Sequence, residues 1–169
     1  MRFNSMKVIM LNLAQRDSVK GYMALIDDED FEKVSKYNWY VNDRSKTRNT
    51  FYAEAHDNDK RLRMHRFVTN CPKGMMVDHI NGNGLDNRKE NLRICTASEN
   101  LMNRAAVRKN IFGYKGVEKN GTTFSTRIKA KGVRYYLGNF RTPKEAAIAY
   151  NNAAIKYHGD FAKLNEIKF

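Results

Sequence analysis

The chain is short of cysteine, of long apolar runs and of acidic side chains, and each shortage closes off a class of function. Its two cysteines, Cys71 and Cys95, form no CxxC pair. Neither a disulfide framework nor a four-cysteine zinc site can be built from them, so reduced thiols and an intracellular setting are expected and structural zinc is not. No apolar stretch approaches the roughly 18 residues of a membrane span. The run from Val8 to Ala14 is short, is broken by Asn12 and lacks a small-residue cleavage site, so neither a membrane segment nor a signal peptide is expected. Only 18 Asp and Glu stand against 31 Lys and Arg, which leaves a formal charge of +13 over 169 residues. A field of that sign recruits polyanions, with nucleic acid first and an acidic membrane surface second.

What the chain does contain is enough to fold. Hydrophobic residues make up 41% and aromatic residues 11%, a globular composition with room for one ordinary domain or two to three small ones. The cationic excess is uneven, since residues 111–169 carry 11 basic side chains against 4 acidic.

From Lys7 to about Val68 the pattern predicts short strands: KVIMLNL, GYMALID, YNWYVND, TFYAEAHD and RLRMHRFV, with one short helical segment at DEDFEKVSK. Trp39, with Tyr37 and Tyr40, is expected to fill the core of this β-rich region. From Met75 the sequence reads strand, long turn, strand, helix. MMVDHI is a strand, NGNGLDNRKEN a loop whose Gly82 and Gly84 suit turn geometry, and LRICT the return strand. TASE then forms a capping box in which Thr96 and Glu99 satisfy each other's backbone N–H. A helix therefore starts at Ala97 and fades near Asn110, where a domain boundary is expected.

Beyond that boundary YKGVEK, TFSTRIKA and VRYYLGNF predict a three-stranded antiparallel meander. A second capping box, Thr142 with Glu145, has Pro143 at the first helical position. It opens a helix bearing Ala146, Ala147, Tyr150, Ala153, Ala154 and Tyr157 on one face, with Gly159 as its stop. The fold class expected is α+β: residues 1–70 form a β-rich region, 71–110 a ββα motif, and 111–169 a three-stranded sheet packed on one helix.

Asp78 and His79 hold the chemistry of the central segment. Metal-assisted phosphodiester cleavage needs a base for water and a hard cation for the phosphate oxygens. An imidazole with an ordinary pKa near 6.5 is largely neutral at neutral pH and can accept water's proton. Adjacent strand residues point to opposite faces, so a bend or bulge is expected at Asp78–His79 to bring both to one phosphate. Asn91, at the end of the loop, can hold the imidazole or brace the loop. Asn100, on the first helical turn, offers a neutral oxygen to a cation. One carboxylate and one carboxamide make a sparse donor set, which favours one Mg²⁺ or Mn²⁺ that keeps waters and phosphate oxygens as ligands.

The order His, Asn, Asn within DHINGNGLDNRKENLR and SENLMN resembles the HNH endonuclease family, particularly phage and intron-encoded homing endonucleases. The likeness to its ββα-metal (His-Me finger) motif covers residues 65–104. It implies His79 as general base, Asp78 and Asn100 as metal ligands, and Asn91 as the residue that orients the base or its loop. It also implies a supporting role for the pair His65–Arg66. Arg88, Lys89 and Arg93 are candidates for the phosphate path, or for a merely solvated basic face.

Residues 112–165 resemble a second family, the plant Apetala or ethylene-response-factor DNA-binding domain, along GYKGVEK, RYYLGNFRTPKEAAIAYNNAAIKYHG and FAKLN. The resemblance implies that the sheet enters the major groove and that Lys115, Arg127, Lys129, Arg134 and Tyr136 face DNA. Strand alternation agrees, placing Arg127 with Lys129 and Arg134 with Tyr136. Glu118 and Phe124 depart from that family's pattern, so base preference does not transfer.

The reading reached from sequence is a site-directed DNA endonuclease of homing type, nicking or cutting both strands, with double-stranded DNA as partner. No membrane partner and no small-molecule cofactor are expected, and a monomer is expected because no heptad pattern is present. The alternatives are a DNA-binding regulator on a catalytically idle scaffold and, further off, an RNA-binding protein.

Overall fold

A computed structural model of the chain describes residues 5–13, 21–42, 51–104 and 112–167. The chain divides into two compact units, Met1–Ala97 and Ser98–Phe169. The fold class is α+β, as the sequence predicts.

In the first unit, β1 (Met6–Leu13) pairs antiparallel with β2 (Tyr22–Asp27) and parallel with β3 (Tyr40–Asn42). β4 (Tyr52–Asp57) and β5 (Lys60–Arg63) complete a five-stranded sheet in the order β2-β1-β3-β4-β5. A 3₁₀ turn at Asp28–Asp30 and the short helix α1 (Phe31–Val34) fall where the DEDFEKVSK segment predicts a helix. Trp39 is 2% exposed among Ile26, Val34, Val41 and Met64. Its indole N–H donates to the carbonyl of Val34 at 2.8 Å, which satisfies the one polar atom that burial would otherwise strand.

RLRMHRFV does not continue as a strand. β5 ends at Arg63 and α2 (Met64–Val68) follows at once. The alternation of Leu62 and Met64 looks like a strand, but Met64 and Val68 are spaced i, i+4 and both are buried, which is the helical solution. The Arg66 guanidinium then ties the following connection by donating to the carbonyls of Met75 at 2.6 Å, Cys71 at 3.2 Å and Pro72 at 3.0 Å.

β6 (Met76–His79) and β7 (Leu92–Cys95) form a two-stranded antiparallel hairpin around the predicted loop. The chain then enters α3 (Ala97–Met102), which starts where TASE places it. α3 ends at Met102 with a turn at Asn103, short of the end predicted near Asn110, which itself lies outside the described residues.

In the second unit, β8 (Val117–Asn120), β9 (Thr123–Ala130) and β10 (Val133–Phe140) form the predicted meander, ordered β10-β9-β8. α4 (Pro143–His158) carries both halves of the predicted capping box and stops at Gly159, whose φ is 53°. Tyr150, Ala153 and Ala154 pack on Ile128, and Ala146 and Ala147 pack on Val117. Close approach explains Gly116: a Cβ there would sit 2.2 Å from the Tyr150 ring. Among the described residues no helix is long and apolar enough to cross a membrane.

Candidate active site

The loop between β6 and β7 is held by its own asparagines and by the opposite end of the first unit. Asn91 is 6% exposed. Its carboxamide accepts from the Asn81 backbone N–H at 3.0 Å and donates to the Asp86 carbonyl at 2.8 Å. Both ends of this side chain therefore brace the loop. Asp86, 2% exposed, accepts from Asn81 Nδ2 at 2.9 Å and from Arg88 Nε and Nη2, each at 2.8 Å. That contact with Arg88 holds the Asp86 carboxyl below the usual carboxylate range against the opposing effect of burial.

Three backbone contacts reach back some sixty residues. Leu25 N–H donates to the Leu85 carbonyl at 2.9 Å, Asn87 N–H to the Leu25 carbonyl at 2.8 Å, and Lys89 N–H to Asp27 Oδ2 at 2.7 Å. β2 thus gives the loop a short parallel bridge, Leu25 with Asp86. Gly84 needs more than the turn geometry predicted for it. It nests against β4, where a Cβ would lie 2.3 Å from the Phe51 carbonyl and 2.8 Å from the Tyr52 ring.

Asp78 and His79 follow each other on β6 with 6% and 5% exposure. The expected bend is not there. Asp78 sits opposite Arg93 and His79 opposite Leu92 in uninterrupted register, because the pairing of four successive residues leaves no extra residue to form a bulge. Neighbouring residues of a regular strand address opposite faces, and these two do. Asp78 Oδ2 accepts from Arg93 Nε at 2.8 Å and Nη2 at 2.6 Å, a charge-assisted pair that compensates burial of the carboxylate.

His79 turns into a cluster of rings. Its centroid is 5.2 Å from that of His65 and 5.8 Å from that of Tyr52, and Tyr52 is 5.4 Å from His65. Burial pushes the His79 imidazole below its ordinary pKa, opposed by Asn87, Asp78 and Asp86. Burial takes His65 further, down to about 3, helped by the charges of His79, Arg63 and Arg66. Both rings are therefore neutral at neutral pH, which for His79 is the form that accepts a proton.

Asn87 is the site residue that sequence reasoning misses. It is fully buried, and its Oδ1 lies 3.5 Å from His79 Nε2. In DNR it reads as one more loop asparagine, and the only hint is its spacing of eight residues from the histidine.

The predicted phosphate-path cations have internal partners first. Arg88 is held by Asp86 and by Glu90, the latter at 2.6 Å. Lys89 pairs with Glu29 and, at 3.5 Å, with Asp30. Arg93 is spoken for by Asp78. Among the described residues no cluster of three His, Cys, Asp or Glu is placed to cage a metal.

In the second unit Asn100 lies half-buried on α3. On the sheet, Arg134 stands opposite Lys129 and Tyr136 opposite Arg127. All four are exposed and share one face, with Tyr136 at 63%. A register shift between Tyr136 and Gly138 then turns the rest of β10. Lys115 does not join them. It precedes β8, is largely buried, donates its Nζ to the Met102 carbonyl, and is pushed down to about 8 by that burial and by Arg104 and Lys163.

The HNH endonuclease family profile matches residues 64–102, from α2 through the hairpin to the end of α3. HNH endonuclease L560 of Acanthamoeba polyphaga mimivirus, uncharacterised by its name, is 30% identical over 156 residues, covering 89% of this chain and 78% of its own. The chain belongs to the HNH endonuclease family. Protein 3.8 of Escherichia phage T7 is 31% identical over 96 residues, covering 54% of this chain and 77% of its own. An SPbeta prophage protein of Bacillus subtilis (strain 168), YosQ, named provisionally as an HNH homing endonuclease, is 35% identical over 71 residues, or 42% of this chain and 40% of its own. No solved structure matches at a significant level. Family membership makes this HNH protein a nuclease, with DNA as its substrate class. The likeness of residues 112–165 to the Apetala domain finds no support among these relatives.

Proposed function

We propose that this HNH nuclease is a site-directed DNA endonuclease of homing type, in which His79 acts as general base. The observation that carries the reading is the buried, neutral imidazole of His79, one residue after the buried carboxylate of Asp78, at the mouth of a loop braced by Asn91. Asp78 and Asn100 are proposed to hold one divalent cation, Mg²⁺ or Mn²⁺. When bound, such an ion polarises the scissile phosphate and stabilises the leaving oxygen. Arg93, donating to Asp78 Oδ2 through Nε and Nη2, orients that carboxylate.

The exposed face of Arg127, Lys129, Arg134 and Tyr136 is proposed as the surface that positions duplex DNA, in the manner of an Apetala-type sheet. The regular β6 register sets a condition on this reading. The two neighbours serve one phosphate from different sides, Asp78 through an oxygen and His79 through the ring edge. The three-part division at residues 70 and 110 is a functional one: scaffold, cutting motif, DNA-reading domain. A monomer makes one cut per encounter.

The test is cleavage of supercoiled DNA with Mg²⁺ by wild type, Asp78→Ala and His79→Ala. Wild type should yield relaxed or linear product. His79→Ala should lose on the order of 10² to 10⁴ in rate, the usual worth of a general base, while gel-shift binding survives. Unimpaired cutting by His79→Ala would sink the mechanism, and binding by wild type with no breaks would favour the idle-scaffold regulator.

A further inference from the structure

A histidine acts as a base through whichever ring nitrogen lacks the proton, and the neutral ring has two tautomers to choose between. In this chain the choice is made two residues into the loop's return. Asn87 Nδ2 lies 3.2 Å from the Leu85 carbonyl. A carbonyl oxygen can only accept, so the group facing it must be the NH₂, and the carboxamide oxygen must face His79. That oxygen also only accepts, so His79 Nε2 must be the nitrogen that carries hydrogen. We infer that Asn87 is a positioning residue that fixes the Nε2–H tautomer of His79 and so leaves Nδ1 as the basic atom.

The polarity of this relay is set from outside the loop. Leu85 O accepts from the Leu25 N–H at 2.9 Å and Asn87 N–H donates to Leu25 O at 2.8 Å. Both residues that flank Asp86 are thereby registered on β2, and turning over the buried Asn87 carboxamide would set its oxygen against the Leu85 carbonyl. The 3.5 Å separation of Oδ1 from Nε2 is long, as catalytic hydrogen bonds often are before substrate arrives. Asn91, by contrast, spends its carboxamide on Asn81 and Asp86. The division of labour is that Asn91 shapes the loop and Asn87 acts on the ring. Water is then deprotonated at Nδ1: the N–H bond forms there, the O–H bond breaks, and its electron pair stays on the attacking oxygen.

The assignment rests on His79 as base, and its test does not depend on cutting. In the full-length ¹⁵N-labelled protein, long-range ¹H–¹⁵N correlations report which ring nitrogen is protonated. The chain has only 4 histidines, and the His79→Gln spectrum identifies the signal of His79. Wild type should show Nε2–H at neutral to mildly alkaline pH. Asn87→Ala should mix the tautomers, and Asn87→Asp, which keeps an accepting oxygen at the ring, should restore Nε2–H. In kinetics, Asn87→Ala should lower kcat by roughly tenfold or more with KM held, and Asn87→Asp should recover a substantial part of it.

An Nδ1–H tautomer in wild type overturns the inference without any variant, which covers the case in which Asn87→Ala fails to fold. So does a folded Asn87→Ala that keeps pure Nε2–H. If instead His79→Ala cuts at full rate while the tautomer behaves as expected, the base assignment fails and the Asn87 contact stands.

Discussion

His65 pairs a buried, uncharged imidazole with a cationic neighbourhood, and its Nδ1 has no hydrogen-bond partner among the described residues. Its folded pKa of about 3 lies below the ordinary 6.5, so between these values the unfolded chain binds the extra proton and the folded chain does not. Stability should therefore be whole above about pH 6.5 and decline as pH falls below it. Urea midpoints at about pH 7.5 and about pH 5 measure the slope, and His65→Phe, which keeps a ring against Tyr52 and His79, should flatten it. A slope unchanged by that substitution would place the effect elsewhere.

Arg88 gives a second residue-scale expectation. Because it closes the Asp86 network rather than facing solvent freely, Arg88→Gln should lower the melting temperature and leave the salt dependence of DNA binding almost unmoved. Equal melting temperatures with a shallower salt slope would return Arg88 to the phosphate path. These two residues show where sequence stops being legible. The positions of Asp78, His79, Asn91 and Asn100 follow from motif spacing, but partners such as Asn87, Glu90 and Tyr52 are chosen by a fold that spacing does not describe.

Elements obey their local signals most closely where those signals are chemical rather than merely periodic. The Thr142–Glu145 box is present with both of its hydrogen bonds, and Thr142→Ala should cost about 1 kcal/mol of unfolding free energy in urea titrations. Periodicity alone misleads at RLRMHRFV, where Leu62 and Met64 serve an alternating and a helical pattern at once. The hairpin of β6 and β7 presents the converse case. Function asked for a bulge at Asp78–His79, whereas four consecutive paired residues hold the strand straight. Gly84 tests how tightly that hairpin's loop is seated. Gly84→Ala should destabilise the first unit by more than the small cost or gain of the same change on an open surface, because its Cβ would meet a backbone oxygen. Thermal melting decides, and a neutral result would mean that the loop stands off β4 in solution.

At the scale of the whole molecule the charge of +13 divides into cations that hold the protein together and cations that remain for a polyanion. Arg88, Lys89 and Arg93 each have an acidic partner within the first unit. Lys129 and Arg134 are exposed on the sheet, and Arg127 shares its face with them although Glu118 contacts it at 2.9 Å. Removing one phosphate-binding cation should reduce the slope of log K against log salt by about 0.9. The double variant Lys129→Ala, Arg134→Ala should therefore lower it by about 2, measured by fluorescence anisotropy on duplex DNA. An unchanged slope would remove this face from the DNA-binding surface.

The bridge between Leu25 and Asp86 also bears on how this nuclease can be taken apart. The family profile begins at residue 64, yet the loop's backbone partners, Leu25 and Asp27, lie far upstream. A transplant of the motif alone into another scaffold would arrive with two amides and a carbonyl severed from their mates. The smallest portable cutting cassette is therefore discontinuous, and a recombination event that moved it intact would have to carry β2 as well.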